Sequence, residues 1–112
     1  MSEKLKSKLN WQKLCYKQVR REYVERLLEQ FGKDVLFEED DRGFISLHWA
    51  AIADKSDIID LIIENGVAVD TKVRDTEEPQ SIHLAALEGN IDAIDCLIRH
   101  GAQVNAEDKY VS

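Results

Sequence analysis

Apolar positions recur with helical spacing in two adjacent segments near the middle of the chain, residues 46–53 and residues 56–65. Small residues dominate the first segment, which predicts a helix that neighbouring helices can approach closely. The second segment carries five large aliphatic residues: Ile58, Ile59, Leu61, Ile62 and Ile63. Since these cover most of a helix circumference, we expect this second helix to be substantially buried. Gly66 follows it and can adopt the left-handed conformation that ends helices.

The same plan recurs one repeat later. His48 and His83 are 35 residues apart, and so are Gly66 and Gly101. Within each copy, 18 residues separate the histidine from the glycine. Residues 90–100 predict the second helix of the later copy, and the short alternating stretch after each glycine predicts a projecting hairpin. Because such periods are typical of repeat architectures, we predict stacked helix pairs.

The first third of the chain predicts a degenerate copy of the same unit. Residues 4–31 contain no Gly or Pro, their apolar residues recur at helical spacing, and Gly32 lies 34 residues before Gly66. The basic residues of this segment are Lys4, Lys6, Lys8, Lys13, Lys17, Arg20, Arg21 and Arg26. Because a terminal cap needs one polar outer face, we interpret the segment as a cap. The alternative is a basic amphipathic helix, with Trp11 and Tyr16, that binds calmodulin, an acidic membrane surface or nucleic acid.

Short motifs in both copies resemble the ankyrin repeat. They are Asp40-Asp41-Arg42-Gly43, Leu47-His48-Trp49-Ala50-Ala51 and Gly101-Ala102-Gln103-Val104-Asn105-Ala106. The resemblance covers residues 40–112. It implies an all-α fold, an ankyrin-repeat solenoid of stacked helix-turn-helix units with connecting β-hairpins or loops. It also implies that each histidine forms local hydrogen bonds that tie its helix to the hairpin.

Several positions depart from the family pattern. Asp54 stands where the glycine between the two helices is usual, and Glu78 stands where the hairpin glycine is usual. The stretch from Gly66 to His83 is longer than the pattern by two residues. These departures concern the conformation of the hairpin tip near residues 71–79 and not the fold.

The repeat pattern divides the chain into four parts. Residues 1–39 form the basic helical cap or degenerate repeat, residues 40–74 and 75–107 form ankyrin repeats, and residues 108–112 begin a further hairpin. Because the last complete repeat has the apolar character of an internal one, we expect the chain to be a fragment of a longer protein. The alternative is that a partner, or a second copy, covers this open C-terminal end.

Charge is distributed unevenly along a chain whose formal net charge is −7. Residues 1–33 hold nine Lys or Arg against four acids, whereas residues 34–112 hold six against eighteen. The acidic part should repel nucleic acid, so we do not expect a nucleic-acid partner. We expect a protein partner with a basic or mixed-charge surface instead.

The chain shows no secretory signal, and no apolar run approaches the ~20 residues that a membrane helix needs. Cys15 and Cys96 are the only cysteines and lack the spacing of a disulfide framework or a metal motif. Two isolated thiols fit a reducing compartment, so we expect a cytoplasmic protein, with the nucleus as the alternative.

The sequence carries no recognisable catalytic set, and we expect neither an enzyme nor a cofactor. His48 and His83 lie one repeat apart without a third ligand or a nucleophile at suitable spacing. Acidic pairs such as Asp40-Asp41 and Glu77-Glu78 fall on predicted loops, where surface charge is the simplest interpretation. Leu97 and Asn105 resemble the residues of ankyrin repeats that are hydroxylated on the asparagine, which makes Asn105 a candidate modification site.

The resemblance also predicts where a partner binds, because ankyrin repeats use their hairpin tips and the concave face of their first helices. By position these residues are Asp41, Arg42, Phe44, Trp49, Ile52, Ala53, Thr76, Glu77, Pro79, Leu87 and Glu88. Phe44 is either a contact anchor or locally tucked, and Trp49 either contacts the partner or packs between helices.

These observations predict a protein-interaction module. A regulatory or targeting fragment of a larger enzyme or ubiquitin-ligase adaptor is the first alternative. A structural element that associates with itself through the open C-terminal end is the second.

Overall fold

A computed structural model describes residues 9–17, 19–74 and 77–103. These parts of the chain form six α-helices and one 3₁₀ helix. In chain order they are α1 (Trp11–Tyr16), α2 (Arg21–Phe31), the 3₁₀ helix (Lys33–Phe37), α3 (Ser46–Ile52), α4 (Ser56–Glu64), α5 (Ser81–Glu88) and α6 (Ile91–Arg99). None of these helices has the length and apolar character needed to cross a membrane.

The helices stack in two layers. Helices α1, α3 and α5 pack side by side in one layer, which we call the inner layer. Helices α2, α4 and α6 form the outer layer, and α4 and α6 also pack on α3 and α5 of their own pairs. Each of these pairs therefore buries apolar surface against itself and against its neighbour, which gives one continuous core. The predicted all-α stack of helix pairs is confirmed.

The two layers contribute side chains of different size to the core. Ala50, Ala51 and Ala85 have no exposed surface, and their short side chains let α3 and α5 approach each other closely. The outer layer contributes the larger side chains. In α4 these are Ile58, Ile59, Leu61 and Ile62, which are at most 3% exposed. Burying one such side chain contributes about 1.5–3 kcal/mol, so α4 is a main source of stability.

The N-terminal segment forms two helices, since α1 ends at Tyr16 and α2 begins at Arg21. Helix α1 packs on α3 and α2 packs on α4, which is the arrangement expected of a first helix pair. Trp11 anchors α1, because its Nε1–H donates a 3.1 Å hydrogen bond to the carbonyl of Val35. Among the described residues, this placement supports the interpretation as a degenerate repeat rather than one continuous basic helix.

Left-handed backbone is required at Gly43 and is kept at two positions where the family usually has glycine. At Gly43 φ is +83°, and a Cβ there would lie 2.8 Å from the carbonyl oxygen of Arg74, so only glycine fits. Asp54 and Glu78, which replace the usual glycines, keep positive φ values of 61° and 49°. Left-handed backbone costs a non-glycine residue about 1–2 kcal/mol. Asp54 offsets part of this cost, since its Oδ1 accepts a 2.9 Å hydrogen bond from the backbone N–H of Ala93.

The hairpin between α4 and α5 is short. In the described residues its pairing consists of a single antiparallel bridge between Lys72 and Gln80. The predicted contact residue Thr76, the candidate modification site Asn105 and the segment 108–112 lie outside the described residues.

The two buried histidines hold the starts of α3 and α5. His48 Nδ1 accepts a 3.0 Å hydrogen bond from the backbone N–H of Ile45, and its Nε2 lies 3.0 Å from the carbonyl oxygen of Thr71. His83 Nδ1 accepts a 2.9 Å hydrogen bond from the backbone N–H of Gln80. For His48, the predicted role of tying its helix to the hairpin is confirmed.

Candidate interaction surface

One carboxylate organises the tight turn that precedes α3. Asp40 Oδ1 accepts hydrogen bonds from the backbone N–H groups of Arg42 (2.9 Å) and Phe44 (3.1 Å). Its Oδ2 accepts a 2.8 Å hydrogen bond from Nε1–H of Trp49. The Asp40 backbone N–H in turn donates to the carbonyl of Phe44 (2.9 Å). Asp40 therefore fixes the shape of the turn and the orientation of the indole together.

Aromatic side chains pack around Trp49. The ring centroid of Phe44 lies 4.8 Å from that of Trp49, and Tyr16 approaches edge-on at 6.3 Å. The guanidinium carbon of Arg42 lies 5.8 Å from the indole centroid, within the range of a cation–π contact. Trp49 is only 4% exposed, whereas Tyr16 is 56% exposed. The rings of Tyr16 and Phe44 are therefore accessible to solvent, and they pack on the buried indole.

A groove of about 440 Å³ lies between α1 and this turn. Its lining includes apolar and aromatic side chains from Leu9, Phe44 and Trp49 together with carboxylates from Asp41 and its neighbours. Three of the lining residues are acidic and one is basic. Such a groove suits a partner segment that presents basic and apolar side chains next to each other.

Most of the predicted contact residues have surface exposed to solvent. The exposed residues among them are Asp41, Arg42, Glu77, Leu87 and Glu88. Phe44, Ile52 and Ala53 are partly buried. Phe44 is therefore tucked on one side against Trp49, and its other side remains accessible.

Two of the predicted contact residues, Trp49 and Pro79, are buried in the structure. Trp49 is buried because Asp40 binds its indole N–H and Phe44 packs on its ring. Pro79 is also buried, and its carbonyl accepts a 2.8 Å hydrogen bond from the backbone N–H of Val73. Because little of either side chain is exposed, we expect these two residues to hold the surface in shape more than to contact a partner directly.

Sequence reasoning missed the contribution of α1 to this surface. Tyr16 packs against Trp49, and Asn10 lines the groove. The spacing of 34 residues between Gly32 and Gly66 is the signal that could have found them. It places α1 one repeat before α3, and consecutive first helices stack beside each other.

A second surface feature lies on α2 and on residues just before it. It is a mainly apolar depression of about 540 Å³ lined by Lys17, Val19, Arg20, Glu22, Tyr23 and Arg26. Tyr23 is 51% exposed and stands among three basic side chains. This is where a partner would bind if the basic N-terminal segment were the functional surface.

Neither thiol is activated for nucleophilic chemistry. Burial raises the pKa of Cys15 to about 12. Burial, and then the hydrogen bond to the Asp60 carboxylate, raise the pKa of Cys96 to about 12. Because the thiolate is the reactive form, both cysteines are poor nucleophiles at neutral pH.

Comparison with known proteins agrees with this architecture. The family model for ankyrin repeats, in three copies, matches residues 13–108. No curated protein matches the chain. The matched segment begins within α1 and so includes the helix pair that the sequence predicted as a degenerate repeat. The chain belongs to the ankyrin-repeat family.

Proposed function

We propose that this chain is a non-catalytic module that binds a protein partner through the turn before α3, the hairpin before α5 and the exposed ends of the inner-layer helices. Ankyrin repeats are generally protein–protein interaction modules. The observation that carries the proposal is the groove beside the turn, where carboxylates and aromatic rings stand together on a hydrogen-bonded frame.

Charge favours a basic or mixed-charge partner. Asp41, Glu77 and Glu88 are exposed acids of the proposed surface, and they come from two successive repeats. Complementary charge speeds encounter and disfavours acidic competitors. Since the Debye length at physiological ionic strength is about 8 Å, binding should weaken as salt is raised.

Rigidity also favours binding at this surface. Asp40 accepts hydrogen bonds from both Phe44 and the indole beneath it, so the aromatic surface is held in place before a partner binds. Ordering a flexible side chain at an interface costs about 0.5–1.5 kcal/mol, and a preformed surface avoids much of that cost.

Self-association is the second candidate, and a specific observation favours it. Leu87, Ile91 and Ile98 are 59%, 73% and 39% exposed on the last two described helices. The equivalent of Leu87 in the preceding repeat is Ile52, which is partly buried where α5 packs on α3. A second copy that stacked on this end would cover the same positions.

The proposal predicts that reversing two exposed charges of the surface abolishes partner capture. The test variant is Asp41→Lys/Glu88→Lys, and the control variant is Glu29→Lys/Asp95→Lys on the outer layer. All four side chains are exposed, and both variants change the net charge equally. The measurement is affinity capture from cell lysate followed by identification of the bound proteins, after both variants are shown to melt like the natural chain.

A partner that binds the natural chain and the control variant, but not the test variant, is the expected result. If both variants lose the partner equally, overall charge rather than this surface governs binding. If both variants retain the partner, the surface assignment is wrong. The mainly apolar depression around Tyr23 then becomes the better candidate.

A further inference from the structure

Three potential metal ligands meet on the outer layer, away from the proposed interaction surface. Asp60 comes from α4, Cys96 from α6, and His100 is the residue that ends α6. The Asp60 Oδ1 lies 2.7 Å from His100 Nε2 and 3.2 Å from Cys96 Sγ. In the described part of the chain, these three ligand atoms all lie within 4.8 Å of one another.

The repeat architecture brings the three side chains together. Cys96 and His100 are four residues apart, so they project from the same face of α6. Helix α6 packs beside α4, which places that face next to Asp60. The cluster therefore joins two successive repeats.

The chemistry of the cluster differs from that of an ordinary surface ion pair. Cys96 has no exposed surface, while the side chains of Asp60 and His100 are 33% and 25% exposed. A buried thiol thus lies directly beneath two accessible ligands. Asp60 Oδ1 accepts hydrogen bonds from both of the other ligands, the His100 imidazole and the Cys96 thiol, so the three ligand atoms converge on one point.

We propose that Asp60, Cys96 and His100 bind a zinc ion with one ligand atom each, a water molecule completing a tetrahedral site. Thiolate, imidazole and carboxylate are the three ligand types that Zn²⁺ takes in proteins. A carboxylate and a thiolate carry two negative charges, which balance the charge of the metal. Hard cations such as Mg²⁺ prefer oxygen ligands alone, so this set selects against them.

Binding requires a defined proton balance and a small movement. The metal displaces the proton of the Cys96 thiol, which is released to solvent. The proton by which His100 Nε2 bonds to Asp60 moves to Nδ1, so that the neutral imidazole binds the metal through Nε2. Typical zinc bond lengths place tetrahedral ligand atoms about 3.4–3.6 Å apart. The two distances from Asp60 Oδ1, 2.7 Å and 3.2 Å, must therefore lengthen by less than about 1 Å. The partly exposed side chains of Asp60 and His100 can make that adjustment.

A bound zinc ion would clamp α6 to α4. The cluster currently links the two helices through hydrogen bonds, which exchange with water more readily than coordinate bonds. Because metal binding stabilises the state that contains the site, the last complete repeat should become harder to unfold. This inference is independent of the proposed interaction surface.

Cobalt provides the test, since Co²⁺ occupies zinc sites and absorbs light. Metal-free protein kept reduced with a non-thiol reductant is titrated with Co²⁺, and one equivalent is expected to produce a thiolate-to-cobalt charge-transfer band. Zn²⁺ should then displace the cobalt and raise the melting temperature, whereas Mg²⁺ should leave it unchanged. Cys96→Ala should abolish the band, and the control Cys15→Ala should keep it, because Cys15 belongs to α1 of the first helix pair and Cys96 to α6.

Asp60→Asn and His100→Gln keep the test decisive if Cys96→Ala does not fold. Both residues are partly exposed, and each change is expected to weaken Co²⁺ binding at least tenfold, or about 1.4 kcal/mol, because one of three ligands is lost. The proposal is overturned if the natural chain shows no thiolate band, if the band depends on Cys15, or if these variants bind Co²⁺ as tightly as the natural chain.

Discussion

Replacement of His48 by alanine is expected to lower the free energy of unfolding by about 3–5 kcal/mol. His48 is fully buried, and it satisfies the backbone N–H of Ile45 and the carbonyl of Thr71. Alanine leaves both groups without their partner and opens a cavity the size of an imidazole. Urea denaturation of the natural chain and the variant measures the loss.

Asparagine at this position separates the two hydrogen bonds. In His48→Asn the side-chain oxygen can replace Nδ1 and accept from Ile45, but the shorter side chain cannot reach Thr71. We therefore expect His48→Asn to lower the free energy of unfolding by less than His48→Ala does. Equal losses for the two variants, or a loss for alanine below about 1 kcal/mol, would contradict the assigned role.

The same geometry predicts a pH dependence. Because Nδ1 accepts from Ile45, the imidazole is neutral and donates from Nε2 to Thr71. Burial lowers the pKa of His48 below its ordinary value of 6.5, although the Thr71 carbonyl and nearby carboxylates oppose this shift. As pH falls below 6.5, the unfolded chain binds a proton that the folded chain does not, so stability falls by at most about 1.4 kcal/mol per pH unit from this group. His48→Asn should show a shallower decline of urea midpoint between neutral and mildly acidic pH.

Replacement of Asp40 by alanine is expected to cost about 2–4 kcal/mol and to disorder the groove. One carboxylate accepts the backbone N–H groups of Arg42 and Phe44 and the indole N–H of Trp49. Alanine removes all three hydrogen bonds at once, so both the turn and the indole lose their support. Urea denaturation gives the energy, and the indole N–H resonance of Trp49 reports the change at the groove.

Two further variants make the Asp40 prediction specific. Asp40→Asn can still accept from the two backbone groups, but one side-chain atom becomes a donor that faces the Trp49 donor, so we expect an intermediate loss. Asp41→Ala changes an adjacent, exposed acid and should alter stability by less than about 0.5 kcal/mol. If Asp41→Ala destabilised the protein as much as Asp40→Ala, the loss would reflect general loop charge and not the hydrogen-bonded turn.

The helices of the two clear repeats could be predicted closely from the sequence. The predicted segment 56–65 became Ser56–Glu64, and the predicted segment 90–100 became Ile91–Arg99. Strong apolar periodicity fixes the body of each helix, and the following glycine fixes its end. The N-terminal pair was harder to predict, because its break at residues 17–20 contains neither glycine nor proline.

The binding surface was predicted less well, because burial there depends on contacts between repeats. Trp49 is buried through Asp40, nine positions earlier, and through Tyr16 of the preceding helix pair. Local periodicity describes which face of a helix is apolar, but it does not say which neighbour covers a single large ring. The burial of Pro79 was not predicted for a related reason, because the fold of the hairpin, rather than its composition, buries that residue.

The departures from the family pattern illustrate a different limit. Asp54 and Glu78 still take the left-handed backbone that glycine would favour. The sequence showed that the preferred residue was missing, but it did not show whether the turn had changed or was strained. The structure shows that the backbone path is kept, with the inter-repeat hydrogen bond from Ala93 helping to hold Asp54.

The most direct test of the central claim is a map of the surface that a captured partner covers. Backbone amide resonances of isotope-labelled protein would be compared with and without the partner. The account predicts that the largest changes fall at Asp41, Arg42 and Phe44 and at the end of α5 around Glu88, with little change along α2 and α4. Changes concentrated around Tyr23 on α2, or on the outer layer, would contradict the claim that this chain binds its partner through the turn and the inner-layer helices.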